Sequence, residues 1–99
     1  MALMRKCYAQ GGVVAAICAA PGLVCSQLDD VAGKRFTCFE GFQDPMIAKG
    51  AVFTPESAVV DGCLVTGRGA GHAVNFGLAI LGVLKGVEAV ERVKAGLML

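Results

Sequence analysis

The chain reads as an α/β fold, a sheet flanked by helices. Three observations predict it. Short runs of strand formers occur at Val13 to Ile17 and Ala58 to Thr66, stretches with apolar residues at helical spacing lie between such runs, and glycine or proline marks the changeovers.

Ala2 to Gln10 reads as the end of a helix, stopped by Gly11 and Gly12. Val13 to Ile17 follows as a short buried strand. Beyond Pro21, the apolar residues Leu23, Val24, Leu28 and Val31 recur at helical spacing and predict a helix reaching to Gly33, with one face on the sheet. Arg35 to Phe39 is rich in strand formers. A loop from Glu40 to Asp44 precedes a short helix from Pro45 to Lys49. Ala51 to Thr54 and Ala58 to Thr66 then read as strands, the second broken at Asp61 and Gly62, a pair that favours a type I′ hairpin turn and so a small antiparallel addition. A glycine-rich turn from Gly67 to Gly71 leads into a nearly uncharged helix from His72 to Lys85, ended by Gly86. Being apolar almost all round, that helix is expected to be well buried. The last helix, Val87 to Leu97, turns Val87, Val90 and Val93 inward and spaces Glu88 and Arg92 as an i,i+4 pair.

The junction at Val13 to Pro21 carries the chemistry. A nucleophile on a sharp strand-to-helix turn needs small residues two positions before and after it, and Ala16 and Ala20 flank Cys18 in those places. Pro21 suits the first helical turn, where its missing N–H costs nothing. A thiol there faces the positive end of the following helix, which favours thiolate. The N–H of Ala19 is placed to stabilise an oxyanion formed by attack on a carbonyl. The competing reading makes Cys18 an inert core cysteine, since free cysteine is among the most buried residue types.

Composition narrows the function. With 99 residues the chain forms one small domain. A net charge of +1, with no basic run longer than the isolated pairs Arg5–Lys6 and Lys34–Arg35, leaves no footprint for nucleic acid. The five cysteines are odd in number, irregularly spaced and without a C-x-x-C, which argues against a disulfide framework and a zinc site and for a reducing cytoplasm. Glycines and Pro21 interrupt the uncharged Cys7 to Leu28 stretch, so neither a signal peptide nor a membrane span is expected. Yet 56% hydrophobic against 17% charged residues is rich for so small a domain, and some apolar surface is expected to meet a partner.

Ala16-Ile17-Cys18-Ala19-Ala20-Pro21, the late loop Thr66-Gly67-Arg68-Gly69-Ala70-Gly71-His72 and the helix segment Phe76-Gly77-Leu78-Ala79-Ile80 together resemble the ThiJ/PfpI superfamily. The similarity covers essentially the whole chain and is greatest to the branch with the parkinsonism-linked deglycase. It implies a flavodoxin-like three-layer sandwich, here its second half, and a homodimer. It also implies glyoxalase or protein deglycase activity on a small aldehyde or a glycated protein, with no cofactor and no metal. The residues implied are Cys18 as nucleophile, Ala19 as oxyanion donor, and Phe39, Gly69 and Ala70 against the substrate.

The chain departs from the family pattern in three ways. The other half would normally supply the glutamate that serves as general acid or base, and no Glu here takes that role. Phe39 stands where many relatives place a histidine, and Gly67, Ala70 and His72 replace Ser, Pro and Thr. His72 is read as a helix-start substitute for a capping Thr rather than a catalytic base, and Arg68 as a loop tie rather than a carboxylate receptor. Among the other thiols, Cys38 is expected nearest Cys18. The alternative function is a non-catalytic redox-sensing or interaction module, in which Cys18 oxidises without turnover. Glutamine amidotransfer is disfavoured, because no His-x-Glu follows the elbow. If the 99 residues stand alone, poor solubility or association through an exposed sheet edge is expected.

Overall fold

A computed structural model describes all residues from Met1 to Leu99. Helix α1 (Ala2–Ala9) runs into strand β1 (Val14–Ile17), and β1 into the single turn α2 (Ala20–Leu23). Next come β2 (Arg35–Phe36), α3 (Asp44–Ala48), β3 (Val52–Phe53), β4 (Ala58–Asp61) and β5 (Leu64–Gly67). The chain closes with α4 (Ala73–Lys85) and α5 (Val87–Gly96). No helix is long and apolar enough to cross a membrane.

The larger sheet has the order β1-β5-β4, with β1 parallel and β4 antiparallel to β5. All of β5 is buried, as the central position requires. Val14 and Ala16 face a core of Cys25, Leu28, Phe36, Cys38, Met46 and Leu64, onto which Met4, Cys7 and Tyr8 of α1 also pack. The opposite face receives α4: a Cβ built on Gly67 would stand 2.6 Å from the Phe76 ring and 3.0 Å from Ile17. The sheet therefore lies between two helical layers, the α/β sandwich expected.

A second, parallel pair, β2 with β3, is joined to the sheet through side chains rather than ladder bonds. Asp61 accepts the Arg35 N–H at 2.8 Å, and the Thr66 hydroxyl accepts the Thr37 N–H at 2.9 Å. Both threonines are fully buried, and the Thr37 hydroxyl itself has no partner. Thr66→Val keeps the shape but orphans a buried N–H, so it is expected to cost about 1–3 kcal/mol, whereas Thr37→Val should be neutral or stabilising. Urea midpoints of the two variants check this, and an equal loss in both would contradict the bonding described.

Several elements differ from expectation. The helix after the elbow is one turn, Ala20–Leu23, followed by a 3-10 turn at Cys25–Gln27. Leu28 is already extended and Asp30 has φ +57°, so Leu28 and Val31 reach the core from a loop. The strand expected over Arg35 to Phe39 pairs only at Arg35 and Phe36. The hairpin turns on Gly62 and Cys63, not Asp61 and Gly62: Asp61 pairs with Leu64, and only Gly62 takes a positive φ, whereas a type I′ turn needs two. Helix α4 has no buried residue, and Val74, Val83 and Leu84 are exposed, because only the sheet and α5 cover it. On α5, Ala89 is the buried residue while Val87 and Val93 are exposed; Lys94 approaches Glu91 at 4.0 Å, and Glu88 and Arg92 make no ion pair.

Candidate functional site

Cys18 sits where β1 ends, with φ +68°. Left-handed backbone in a residue with a Cβ costs about 1–3 kcal/mol and persists only where its surroundings enforce it. Here two bonds do so. The Cys18 N–H donates to the Gly67 carbonyl at 3.0 Å, continuing the β1–β5 pairing, and the Cys18 carbonyl accepts the Phe39 N–H at 2.7 Å. The backbone is thus held from both sides while the thiol is exposed. The buried reading of Cys18 does not survive this placement.

Ala19 caps α2, and its N–H has no backbone acceptor, as an oxyanion donor requires. Pro21 falls in the first turn, as its chemistry predicts. The long dipole expected behind the thiol is absent: one α-turn contributes its first N–H groups and little more. What fixes α2 is tertiary. Gly22 lies against the loop that carries Phe39, so closely that a Cβ there would be 1.8 Å from the Phe42 carbonyl oxygen.

Beside the elbow, Phe39, Glu40 and residues Arg68 to His72 line a cleft of about 350 Å³. Phe39 is half exposed, with its ring 3.6 Å from where a Cβ on Gly69 would lie. The structure thus brings Phe39, Gly69 and Ala70 together. Cys18 and Ala19 do not line this cleft; Cys18 joins it through the Phe39 hydrogen bond.

Glu40 is the residue that sequence reasoning set aside. Its carboxylate takes Arg68 Nη2 at 2.6 Å, and the guanidinium stacks 5.5 Å from the Phe53 ring centroid. Arg68 is therefore the loop tie expected, and its partner brings a carboxylate to the cleft. No local pattern in the sequence marks that pairing. His72 is exposed on the cleft wall and makes no side-chain capping bond, so the capping role expected of it is not the one it has.

The remaining thiols differ in kind. Cys25 and Cys38 are buried and Cys7 and Cys63 half-buried. Burial pushes the Cys38 thiol up, with the Arg68 charge opposing and Glu40 and Cys18 adding to it. Cys38 directly precedes Phe39, whose N–H bonds the Cys18 carbonyl at 2.7 Å, so the two cysteines sit on neighbouring segments, as expected. Burial pushes Cys25 from 9.0 up to about 11. Between those values the folded protein keeps a proton that the unfolded chain has released, so stability is complete below about pH 9 and falls as pH rises towards 11. Urea midpoints should be flat below that window and decline within it, and Cys25→Ala should shallow the decline. A midpoint that rises across the window would contradict the assignment. No three His, Cys, Asp or Glu side chains gather as a metal site would need.

A parallel strand that ends in a strained, exposed cysteine at a helix start, in a sheet with helices on both faces, places the chain in the flavodoxin-like α/β class. The chain belongs to the DJ-1/PfpI family, whose model matches residues 1–82. It is 35% identical over 96 residues to protein dj-1beta of Drosophila melanogaster, covering 97% of this chain and 51% of that protein. It is 29% identical over 86 residues to the glutathione-independent glyoxalase DJR-1.2 of Caenorhabditis elegans, covering 87% of this chain and 45% of that one. The crystal structure of Drosophila DJ-1beta matches with TM-score 0.83 and 34% identity, over 99% of this chain and 52% of that one. Oxidised Toxoplasma gondii DJ-1 matches with TM-score 0.86 and 28% identity, over 98% and 52%. The chain spans about half the length of these relatives.

Proposed function

We propose that this protein performs cysteine-dependent chemistry on small aldehydes, of the glyoxalase or protein deglycase type, with Cys18 as nucleophile. One observation carries the reading: an exposed thiol held in left-handed backbone, next to a free N–H and joined through its backbone carbonyl to Phe39, which lines a cleft. The name of the Caenorhabditis relative supports the substrate class.

In the proposed route the Cys18 thiolate attacks the aldehyde carbon of methylglyoxal. A C–S bond forms, the carbonyl π pair moves to oxygen, and the Ala19 N–H donates to that oxygen. Transfer of the proton on the former aldehyde carbon to the neighbouring carbon converts the hemithioacetal to a thioester. Water then releases lactate and returns the thiol. Phe39, Gly69 and Ala70 form the wall against the methyl end. Glu40, held by Arg68, is the carboxylate this chain brings to the cleft.

The same reading includes a homodimer, supported by the exposed apolar end at Leu97, Met98 and Leu99, and a cytoplasmic location, supported by five free thiols. The test is lactate formation from methylglyoxal by the wild-type chain, absent in Cys18→Ala. Equal rates in the two proteins sink the proposal. Oxidation of Cys18 by dilute peroxide with no lactate in either protein selects the non-catalytic redox reading instead.

A further inference from the structure

We infer that the cleft beside the elbow holds a seat for an organic cation, built from the exposed ring of Phe39 and the free carboxylate oxygen of Glu40. Substrates whose far end is an alkylammonium or guanidinium group are then favoured over those that end in an anion. The substrate's placement rests on the proposed attack by Cys18, which sets its reacting carbon at the elbow; the seat itself does not.

Glu40, Arg68 and His72 are the titratable side chains on this cleft. Arg68 is the group that a substrate carboxylate would seek, and it is already engaged. Its Nη2 donates to Glu40 Oε2 at 2.6 Å, its guanidinium lies over the Phe53 ring at 5.5 Å from the centroid, and its side chain is only 23% exposed. An incoming carboxylate has to displace Glu40 to reach it. Glu40 is the reverse case: its side chain is 68% exposed, and Oε1 has no hydrogen-bond or ion-pair partner in the protein. The cation of the pair is covered and the anion faces solvent. His72 pairs with neither.

The preceding residue supplies the second contact. Phe39 is half exposed, with its ring edge-to-face against Phe42 at 6.2 Å between centroids. Beside it the late loop offers almost no side chain, and a Cβ on Gly71 would meet nothing within 4 Å. An open aromatic face attracts a cation through the ring quadrupole, and quaternary ammonium groups are recognised this way. Consecutive residues thus bring charge and apolar contact to one place. The methyl end of methylglyoxal uses only the apolar part. Reach follows from the backbone, since the Phe39 N–H bonds the Cys18 carbonyl at 2.7 Å and a short substrate attacked by Cys18 extends beside that ring.

The probes are three methanethiosulfonates whose far ends carry trimethylammonium, sulfonate or no charge. In each, the Cys18 thiolate attacks the sulfenyl sulfur, an S–S bond forms, and methanesulfinate leaves with the electron pair. Rates at Cys18 are read by peptide mass spectrometry and divided by those of a neutral free thiol, which removes a thiolate's own preference for cations. The wild-type chain should then favour the cationic over the anionic reagent by about tenfold. Glu40→Gln leaves Arg68 unpaired and should invert the preference, whereas Arg68→Gln should enlarge it. Phe39→Leu keeps apolar bulk without the ring face and should cut the cationic advantage about threefold without inverting it. Each ratio is taken within one protein, so a change in overall thiol reactivity cancels. A wild-type ratio equal to that of the free thiol, a preference for the anionic reagent, or a ratio unmoved by both Glu40→Gln and Phe39→Leu overturns the seat. Lactate is not read, so failure of the seat leaves the Cys18 chemistry standing, and a chain that makes no lactate still tests the seat.

Discussion

Cys18→Ala is expected to lower aldehyde turnover on the order of a thousandfold or more, to the background rate, because the group that forms the covalent bond is removed outright. The fold should be unaffected. An alanine keeps the Cβ, and the two bonds that hold the position run through backbone, from the Cys18 N–H to Gly67 and from the Phe39 N–H to the Cys18 carbonyl. Cys18→Gly adds a check that activity alone does not give. With φ +68°, the Cβ costs the native state about 1–2 kcal/mol, which glycine relieves in part, offset by its greater freedom when unfolded. The glycine variant should therefore be equally inactive but at least as stable as the alanine variant. Thermal unfolding of the pair measures this, and a glycine variant clearly less stable than alanine would mean that the elbow is not held in the left-handed region.

Gly22→Ala is expected to be the most damaging small substitution outside the core. The added carbon would lie 1.8 Å from the Phe42 carbonyl oxygen and 2.9 Å from the carbonyl carbon, and backbone cannot rotate out of the way as a side chain can. Overpacking commonly costs about 1–3 kcal/mol, and a clash with a main-chain oxygen belongs at the top of that range or above it. The displaced segment is the one that carries Phe39, so the loss should appear twice: as a lower urea midpoint, and as faster alkylation at Cys38, which is buried under the same loop. Stability within about half a kcal/mol of wild type would show that α2 and the Phe39 loop are less closely apposed than described.

The elbow was legible because its signals are local. Small residues at Ala16 and Ala20, a proline in the first turn and an apolar strand before the thiol each reflect what that backbone demands within a few residues. The sandwich was legible for a similar reason, since alternating periodicities report which elements form. Length was less legible. Nothing in Leu23, Val24, Leu28 and Val31 reveals that the helix ends after one turn, because apolar spacing is satisfied equally by a loop that turns at Asp30 and drops Leu28 and Val31 into the core. Glu40 was missed because its place depends on Arg68, on the far side of the hairpin. The exposure of α4 was missed because hydrophobicity records that a surface wants cover, not whether cover is present.

The two backbone bonds at Cys18 also have a consequence in time. The residue that fixes its N–H belongs to β5, beyond both the β2–β3 pair and the hairpin turn, so the elbow geometry requires a contact between distant parts of the chain. Contacts of that span form late. On a ribosome the thiol emerges well before Gly67 is made, as an ordinary cysteine on an unstructured strand. Its left-handed backbone is fixed only when β5 docks beside β1, which makes the rate of thiol modification a clock for that pairing.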